Sequence, residues 1–134
     1  MIVALALLSL GMPAQAGAAC PAEIVEPERR FSGIYVDDFE GQRFFEGAAG
    51  IGDLDFRARP IVNFEPDIVG VGKRFGITQR ANGLAYRVTF RGVMRSRGTV
   101  EPPAPPCGYG HFGGAGRRID LAAVERIELL GPVR

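Results

Sequence analysis

Four arginines along one stretch of the chain are the residues whose type and spacing best fit a chemical role. They are Arg87, Arg91, Arg95 and Arg97, here called the arginine stripe. Side chains on a β-strand point alternately to its two faces, so the stripe would line the face opposite Tyr86, Val88 and Phe90. A curved sheet with a basic face is how some small barrels hold anionic polymers. The stripe is therefore a candidate binding surface for an anionic envelope polymer or a carboxylate-bearing ligand.

The charge distribution supports a second interpretation of these arginines. Residues 17–72 contain eleven acidic and five basic side chains, whereas residues 73–134 contain four acidic and eleven basic ones. Acidic and basic strands that pair within one sheet gain a few tenths of a kcal/mol per opposite-charge pair. This structural pairing is the stronger explanation of the asymmetry. No aromatic side chains lie beside the stripe on its own strand face, so nucleic acid is not an expected partner.

A glycine-rich segment, residues 108–116, contains His111, which is the single histidine of the chain. Residues 108–113 spell G-x-G-x-x-G, but the dinucleotide fingerprint requires a strand before the run and a helix after it. Here a proline-rich stretch precedes the run and further glycines follow, so we reject this motif and expect no cofactor. Tyr109 and His111 remain candidate ligand contacts in a long loop.

Histidine-dependent catalysis would have to use His111. In a small hydrolase or lyase, a carboxylate such as Asp37 or Asp120 would act together with this histidine. The alternative is a ring that hydrogen-bonds backbone groups of the glycine-rich segment, and this alternative is favoured. Cys107, His111 and one carboxylate fall short of the four ligands of a zinc site if Cys107 is oxidised. Asp53 with Asp55 matches no full calcium loop. We therefore expect neither an enzyme nor a metal site.

The first sixteen residues predict export from the cytoplasm. Residues 2–10 form an apolar run, and Ala14-Gln15-Ala16 supplies the small-x-small pattern that precedes signal peptidase cleavage. The run is about half of what a membrane-spanning helix needs, so no transmembrane segment is expected. The predicted location is the periplasm or the medium. Lipidation of Cys20 is a minor alternative, because residues 17–20 loosely match a lipoprotein box.

The chain has two cysteines, Cys20 and Cys107, and both would remain after cleavage. In an oxidising compartment a lone pair of cysteines usually forms a disulfide. We therefore predict a bond between the new N-terminal region and the loop that carries Tyr109 and His111.

The elements that would position these residues are predicted to be strands. The chain has 19 Gly, 10 Pro and no Trp, a composition that favours short strands and many turns. We expect a flexible arm over residues 17–30 and one domain over residues 31–134. The expected fold is all-β, a small, partly open antiparallel barrel of five to seven strands that resembles an oligonucleotide/oligosaccharide-binding barrel. The oligomeric state is not predicted.

Turn residues place the individual strands. A first hairpin is expected over residues 31–46, and short strands over residues 61–64 and 68–71. Asn82-Gly83 is a strong hairpin signal and predicts a hairpin over residues 73–97. Gly92 falls on the core side of the second arm, which indicates a bend or a β-bulge.

The C-terminal segment, residues 117–130, fits two structures. Asp120 could cap a short helix that buries one apolar face and stops at Gly131-Pro132. Alternatively, a turn at Ala122-Ala123 could separate two strands. Strands are favoured because β-branched residues recur and the rest of the chain is β.

Residues 86–127 resemble a group of small exported bacterial proteins of unknown function. The resemblance depends on Phe90-Arg91-Gly92 and on the Gly-Tyr-Gly-His-x-Gly run at residues 108–113. It implies a small exported β domain and no activity. The sequence thus predicts a non-enzymatic binding or envelope-associated module, with a purely structural protein or a His111-dependent hydrolase or lyase as alternatives.

Overall fold

Long strands at the middle and at the end of the chain form the centre of a single sheet. The computed structural model describes residues 20–38, 41–57, 61–62, 64–65, 72–77, 82–98, 107–110 and 113–133. The predicted signal peptide, the strand candidate at residues 68–71, and His111 lie outside the described residues.

Seven strands occur in these ranges, and they run in the sheet order β4-β3-β2-β6-β7-β5, with β1 also paired to β6. All neighbours are antiparallel except β5 and β7. The strands are β1 (Ile24–Val25), β2 (Arg29–Asp38), β3 (Gly41–Glu46), β4 (Ile61–Val62), β5 (Phe64–Glu65), β6 (Leu84–Ser96) and β7 (Arg117–Pro132). The antiparallel sheet curls into a half-barrel, so the predicted all-β, partly open architecture is confirmed.

A single residue of the chain separates the two edge strands of the sheet. β4 and β5 stand at opposite ends of the strand order, yet only residue 63 separates them. Two residues of extended chain span at most about 7 Å, so the two edges approach each other here and the sheet must curl. The expected edge position of residues 61–64 is confirmed. The single strand expected there is wrong, because its two halves pair with different neighbours, β3 and β7.

The inner face of the half-barrel holds an aromatic core. Phe31, Phe44 and Phe90 are buried, and the rings of Phe31 and Phe90 stack with their centroids 5.2 Å apart. Tyr35 and Tyr86 extend the same core. The predicted alternation along β6 is therefore confirmed, since its inward residues are buried and the stripe lies on the other face.

Gly92 sits at a β-bulge, as predicted. The register between β6 and β7 shifts between Arg91 and Gly92. A Cβ atom at position 92 would lie 2.7 Å from the carbonyl oxygen of Asp120, so only glycine lets β7 approach this closely.

The strands begin earlier than predicted. The first hairpin is confirmed, but β2 starts at Arg29 rather than at residue 31, and β1 precedes it. Between the two strands, the amide of Glu26 donates to the carbonyl oxygen of Met94 at 2.9 Å. The segment expected to be a flexible arm thus continues the line of β2 along β6.

The hairpin predicted over residues 73–97 is wrong. Lys73–Phe75 forms a 3-10 turn, and β6 pairs with β2 and β7. Gly83 has a φ of 79°, a conformation that glycine adopts more readily than any other residue. Its amide donates to the carbonyl oxygen of Asp37, and its own carbonyl accepts from the amide of Val133, both at 2.7 Å. The turn therefore lies against the ends of β2 and β7, and its partners are distant in sequence.

The C-terminal segment is one strand, β7, so the helix and the turn at Ala122-Ala123 are both wrong. β7 has 16 residues and faces the 13 residues of β6. Register shifts accommodate the difference by leaving Ala122, Glu125 and Leu130 without a directly opposed residue. Bulges at these positions bend the strand around the core.

Candidate functional site

The structure pairs every arginine of the stripe with a carboxylate. Arg87 lies 3.3 Å from Glu128 and Arg91 lies 2.5 Å from Glu28. Arg95 contacts both Glu23 and Asp120, and Arg97 lies 3.8 Å from Glu23. The pairing of acidic and basic segments expected from the charge asymmetry is therefore present. The ligand-binding role of the stripe stays a prediction.

The pairs in the middle of the outer face are balanced and exposed. Arg91 has Glu28 as its carboxylate, and the neighbouring Arg30 has Glu125 at 2.7 Å. Exposed pairs of this kind contribute about 0 to 1 kcal/mol each to stability. Arg87 is held further by the carbonyl oxygen of Ala49 at 3.1 Å. This part of the stripe thus has its charge already compensated.

At the Ser96 end of β6, polar side chains from four parts of the chain converge. We call this group the Tyr109 cluster. Glu23 comes from the segment before β1, and Arg95 and Arg97 come from the end of β6 and the residue that follows the strand. Tyr109 comes from the glycine-rich segment, and Arg118 and Asp120 come from the start of β7. The members are Glu23, Arg95, Arg97, Tyr109, Arg118 and Asp120.

Tyr109 is at the centre of the cluster. Its hydroxyl donates to Oε1 of Glu23 at 2.6 Å, and Nη1 of Arg95 donates to Oε2 of the same carboxylate at 3.0 Å. The guanidinium carbons of Arg97 and Arg118 lie 5.8 and 5.2 Å from the centroid of the Tyr109 ring. Both distances are within the range of a cation–π contact.

The second carboxylate of the cluster belongs to Asp120. Nε of Arg95 donates to its Oδ2, and Nε of Arg118 lies 2.9 Å from its Oδ1. Asp120 therefore lies between two guanidinium groups and accepts a hydrogen bond from that of Arg95.

Glycines allow the loop to present Tyr109. The backbone of Tyr109 pairs with that of Ala115 through hydrogen bonds of 2.7 and 3.1 Å. A Cβ atom at position 108 would lie 2.3 Å from the carbonyl oxygens of Gly113 and Ala115. Gly110 and Gly113 have φ values of 70° and 63°. The glycine-rich run thus closes a tight loop, and β7 rather than a helix follows it.

A disulfide fastens this loop to the N-terminal segment, as predicted. The sulfur atoms of Cys20 and Cys107 are 2.12 Å apart and the two Cα atoms are 5.4 Å apart. Glu23 follows the first cysteine by three residues, and Tyr109 follows the second by two. The bond therefore places the two ends of the Tyr109–Glu23 hydrogen bond next to each other.

The contacts of the cluster change the acidity of its members. The hydrogen bond from Tyr109, helped by Arg95 and Arg97, lowers the pKa of Glu23. Burial, and then the hydrogen bond to Glu23, raises the pKa of Tyr109. Burial alone would raise the pKa of Asp120, but the contacts with Arg95 and Arg118 outweigh it and lower that pKa. Both carboxylates are thus ionised at neutral pH.

Positive charge exceeds negative charge in the cluster. Within the described part of the chain, the cluster has three guanidinium groups and two carboxylates. Nε of Arg97 and Nε of Arg118 are both buried and have no hydrogen-bond partner among the described residues, while 36% of the Arg97 side chain is exposed. The exposed part of the Arg97 side chain, rather than its buried Nε, can contact an external anion.

The two carboxylates considered for catalysis lie far apart. Asp37 pairs with Leu84 at one end of β6, and Asp120 pairs with Val93 near the other. Nine residues of strand separate these positions, which is about 30 Å. Gly110 and Gly113, the described residues around position 111, belong to the loop at the Asp120 end.

Three members of the cluster were not among the predicted ligand contacts. Glu23 could have been found from the predicted disulfide, since that bond brings residues near Cys20 to residues near Cys107. Arg118 and Asp120 could be assigned to the cluster only from the pairing of β7 with β6. The ambiguous pattern of the C-terminal segment did not predict that pairing. In the described ranges, no cluster of three or more His, Cys, Asp or Glu could hold a metal ion. No helix there is long and apolar enough to cross a membrane.

Comparison with known protein families, with curated proteins and with solved structures gives no match.

Proposed function

We propose that this protein is an exported, non-enzymatic binding module whose Tyr109 cluster binds an anionic group of an envelope ligand. One observation carries the proposal: three guanidinium groups share two carboxylates around one buried tyrosine ring in the described structure. Charge-assisted hydrogen bonds from arginine to an oxyanion are among the stronger polar contacts in proteins. A ligand anion would balance the remaining charge.

The disulfide supports the export part of the proposal. Residues 1–16 have the pattern of a cleavable signal, and Cys20 and Cys107 form a bond that persists in oxidising compartments. Lipidation of Cys20 would use the same sulfur atom, so the disulfide and the lipid anchor exclude each other. We therefore favour the periplasm or the medium as the location of the unlipidated protein.

The state of the carboxylates argues for binding rather than catalysis. A general acid or base works best with a pKa near the operating pH. The pKa values of Glu23 and Asp120 are instead lowered by their hydrogen bonds and by nearby arginines. Both groups therefore suit the role of fixed counter-charges that orient guanidinium groups.

Thermal unfolding of the purified exported protein tests this function. The probes are polygalacturonate, poly-glutamate and dextran sulfate, with neutral dextran as the control. A ligand that binds the native state raises the unfolding midpoint, by a few degrees when it is present well above its dissociation constant. We expect the anionic probes to raise the midpoint and neutral dextran to leave it unchanged.

Two variants locate the effect. Arg97→Gln should abolish the rise, each variant being compared with its own ligand-free midpoint. Arg126→Gln is the matched control, because Arg126 is an exposed arginine of β7 that pairs with Glu128 outside the cluster. An equal rise in the Arg97→Gln protein would overturn the proposed site.

A structural role without ligand is the second candidate. It is favoured by the carboxylate partner that each stripe arginine has in the structure. The absence of any midpoint change with all three anionic probes would select this role over binding.

A further inference from the structure

The charge along the outer face of β6 is interrupted. Arg87 and Arg95 are eight residues apart, which is about 26 Å along a strand. Between them, Arg91 is paired with Glu28, and Arg30 on the adjacent strand is paired with Glu125. An anionic polymer that followed the stripe would therefore meet two exposed carboxylates at the middle of its path.

The Tyr109 cluster offers a guanidinium group that is less engaged. Arg95 donates hydrogen bonds to two carboxylates, and Arg118 lies 2.9 Å from Asp120. Arg97 is 3.8 Å from Glu23, beyond hydrogen-bond distance, and that Glu23 oxygen already accepts from Tyr109. Among the described residues, Arg95 therefore donates to two carboxylates, whereas Arg97 makes no side-chain hydrogen bond to either of them.

The cluster also contains an internal example of what it can hold. The carboxylate of Glu23 accepts one hydrogen bond from a phenol and another from a guanidinium group. A planar carboxylate fits the fork of an arginine through two parallel hydrogen bonds. The phenol of Tyr109 already donates to Glu23, so a new carboxylate would be held by guanidinium donors, and the Arg97 side chain is 36% exposed.

We infer that the Tyr109 cluster binds one discrete carboxylate of its ligand, through Arg97 and Arg118 beside the Tyr109 ring, and that an anionic polymer does not bind along the stripe. This inference rests on the proposed binding function and specifies its ligand. The described cluster has an excess of one positive charge, so a monoanion neutralises it. A phosphate dianion would leave net negative charge beside Glu23 and Asp120, where repulsion between like charges opposes binding.

An NMR titration with uronic acids of increasing length tests the inference. The probes are galacturonate, its trimer and its decamer, with acetate and inorganic phosphate as small anions. A discrete site predicts dissociation constants for the three uronic acids that agree within about threefold once each is expressed per carboxylate. It also predicts that acetate binds more tightly than phosphate at pH 7.5.

Variants distinguish binding at a discrete site from binding along the arginine stripe. Arg97→Gln should weaken galacturonate binding at least tenfold, and Arg97→Lys should restore part of it because the charge returns without the fork. Arg91→Gln should change binding less than twofold. If the affinity per carboxylate rises more than tenfold from galacturonate to the decamer, and falls in the Arg91→Gln protein, the discrete site is overturned. Anion binding by the protein would still stand. Tighter binding of phosphate would overturn the carboxylate assignment, and no binding of any anion would overturn the proposed function as well.

Discussion

Tyr109 connects the two halves of the cluster. Its hydroxyl donates to Glu23, and its ring contacts the guanidinium groups of Arg97 and Arg118. The residue is 9% exposed, so its hydroxyl would need another partner if Glu23 were removed. One side chain thus fixes both a counter-charge and the positions of two guanidinium groups.

Replacing Tyr109 with phenylalanine tests this role. The ring and its burial are kept, but Glu23 loses its shortest hydrogen bond. We expect the unfolding midpoint to fall by a few degrees at pH 7, because a hydrogen bond to a charged group is lost. Differential scanning calorimetry measures the change. A midpoint equal to that of the wild type would show that the hydroxyl contributes no stability.

The lowered pKa values of Glu23 and Asp120 predict sensitivity to acid. A carboxylate whose pKa is lower in the folded protein contributes stability above its unfolded pKa, which is about 4, and loses it as pH falls through the folded value. We therefore expect stability to fall as the pH is lowered from 5 to 2. Urea unfolding of wild type and of Asp120→Asn at several pH values measures this. The slope with pH should be smaller in the variant, and equal slopes would contradict the assignment.

The raised pKa of Tyr109 predicts a loss of stability at alkaline pH. A group whose pKa is higher in the folded protein contributes stability below its unfolded pKa, which for tyrosine is about 10, and loses it as pH rises through the folded value. Urea unfolding between pH 9 and 11.5 should show this loss in the wild type. The Tyr109→Phe protein should lose less stability over the same range, and an equal loss would contradict the assignment.

At the scale of elements, β7 explains why the sequence pattern was ambiguous. Opposite the inward residues of β6, β7 places Ile119, Leu121, Val124, Ile127 and Leu129. The spacing becomes three residues wherever a bulge inserts Ala122 or Glu125, and a three-residue spacing is also what one face of a helix gives. Local periodicity could not separate a bulged strand from a helix, because the bulges are set by pairing with β6.

The hairpin predicted from Asn82-Gly83 was wrong for a related reason. Gly83 adopts a positive φ, as the glycine of an Asn-Gly turn usually does. Its hydrogen-bond partners, Asp37 and Val133, are some fifty residues away on either side in sequence. A local motif predicts the backbone conformation of a turn, but it does not identify the strands that the turn adjoins.

Gly92 provides a test of how closely β6 and β7 pack. We expect Gly92→Ala to destabilise the protein by about 1 to 3 kcal/mol, because the new Cβ atom would collide with the backbone of Asp120. Urea unfolding gives the free energy. Gly52→Ala is the matched control, since a Cβ atom there meets nothing within 4 Å. Equal stabilities of the two variants would contradict the close approach.

At the scale of the whole molecule, the disulfide joins the N-terminal segment to the loop that presents Tyr109. The composition predicted the β class, and the two cysteines predicted their own bond. The Tyr109 cluster was only half predicted, because Arg95, Arg97 and Tyr109 lie in recognisable patterns whereas Arg118 and Asp120 depend on long-range pairing. The curled sheet brings these parts together.

Removal of the disulfide should affect the stability of the whole domain. The cysteines are 87 residues apart, and for a loop of this length the chain-entropy model gives about 4 to 5 kcal/mol, with smaller measured values common. We expect the Cys20→Ser and Cys107→Ser double variant to lose at least about 2 kcal/mol in urea unfolding. The fully reduced wild type should match it. A loss below about 0.5 kcal/mol would mean that the bond does not hold the N-terminal segment in place.

The most direct test of anion binding at the Tyr109 cluster is NMR of the arginine Nε–Hε groups during a titration with galacturonate. Each side chain then reports its own environment, whatever the effect on stability. We predict that the resonances of Arg97 and Arg118 shift with a common dissociation constant, while those of Arg87 and Arg91 stay in place. Shifts confined to Arg87 and Arg91, or no shift in any arginine, would contradict it.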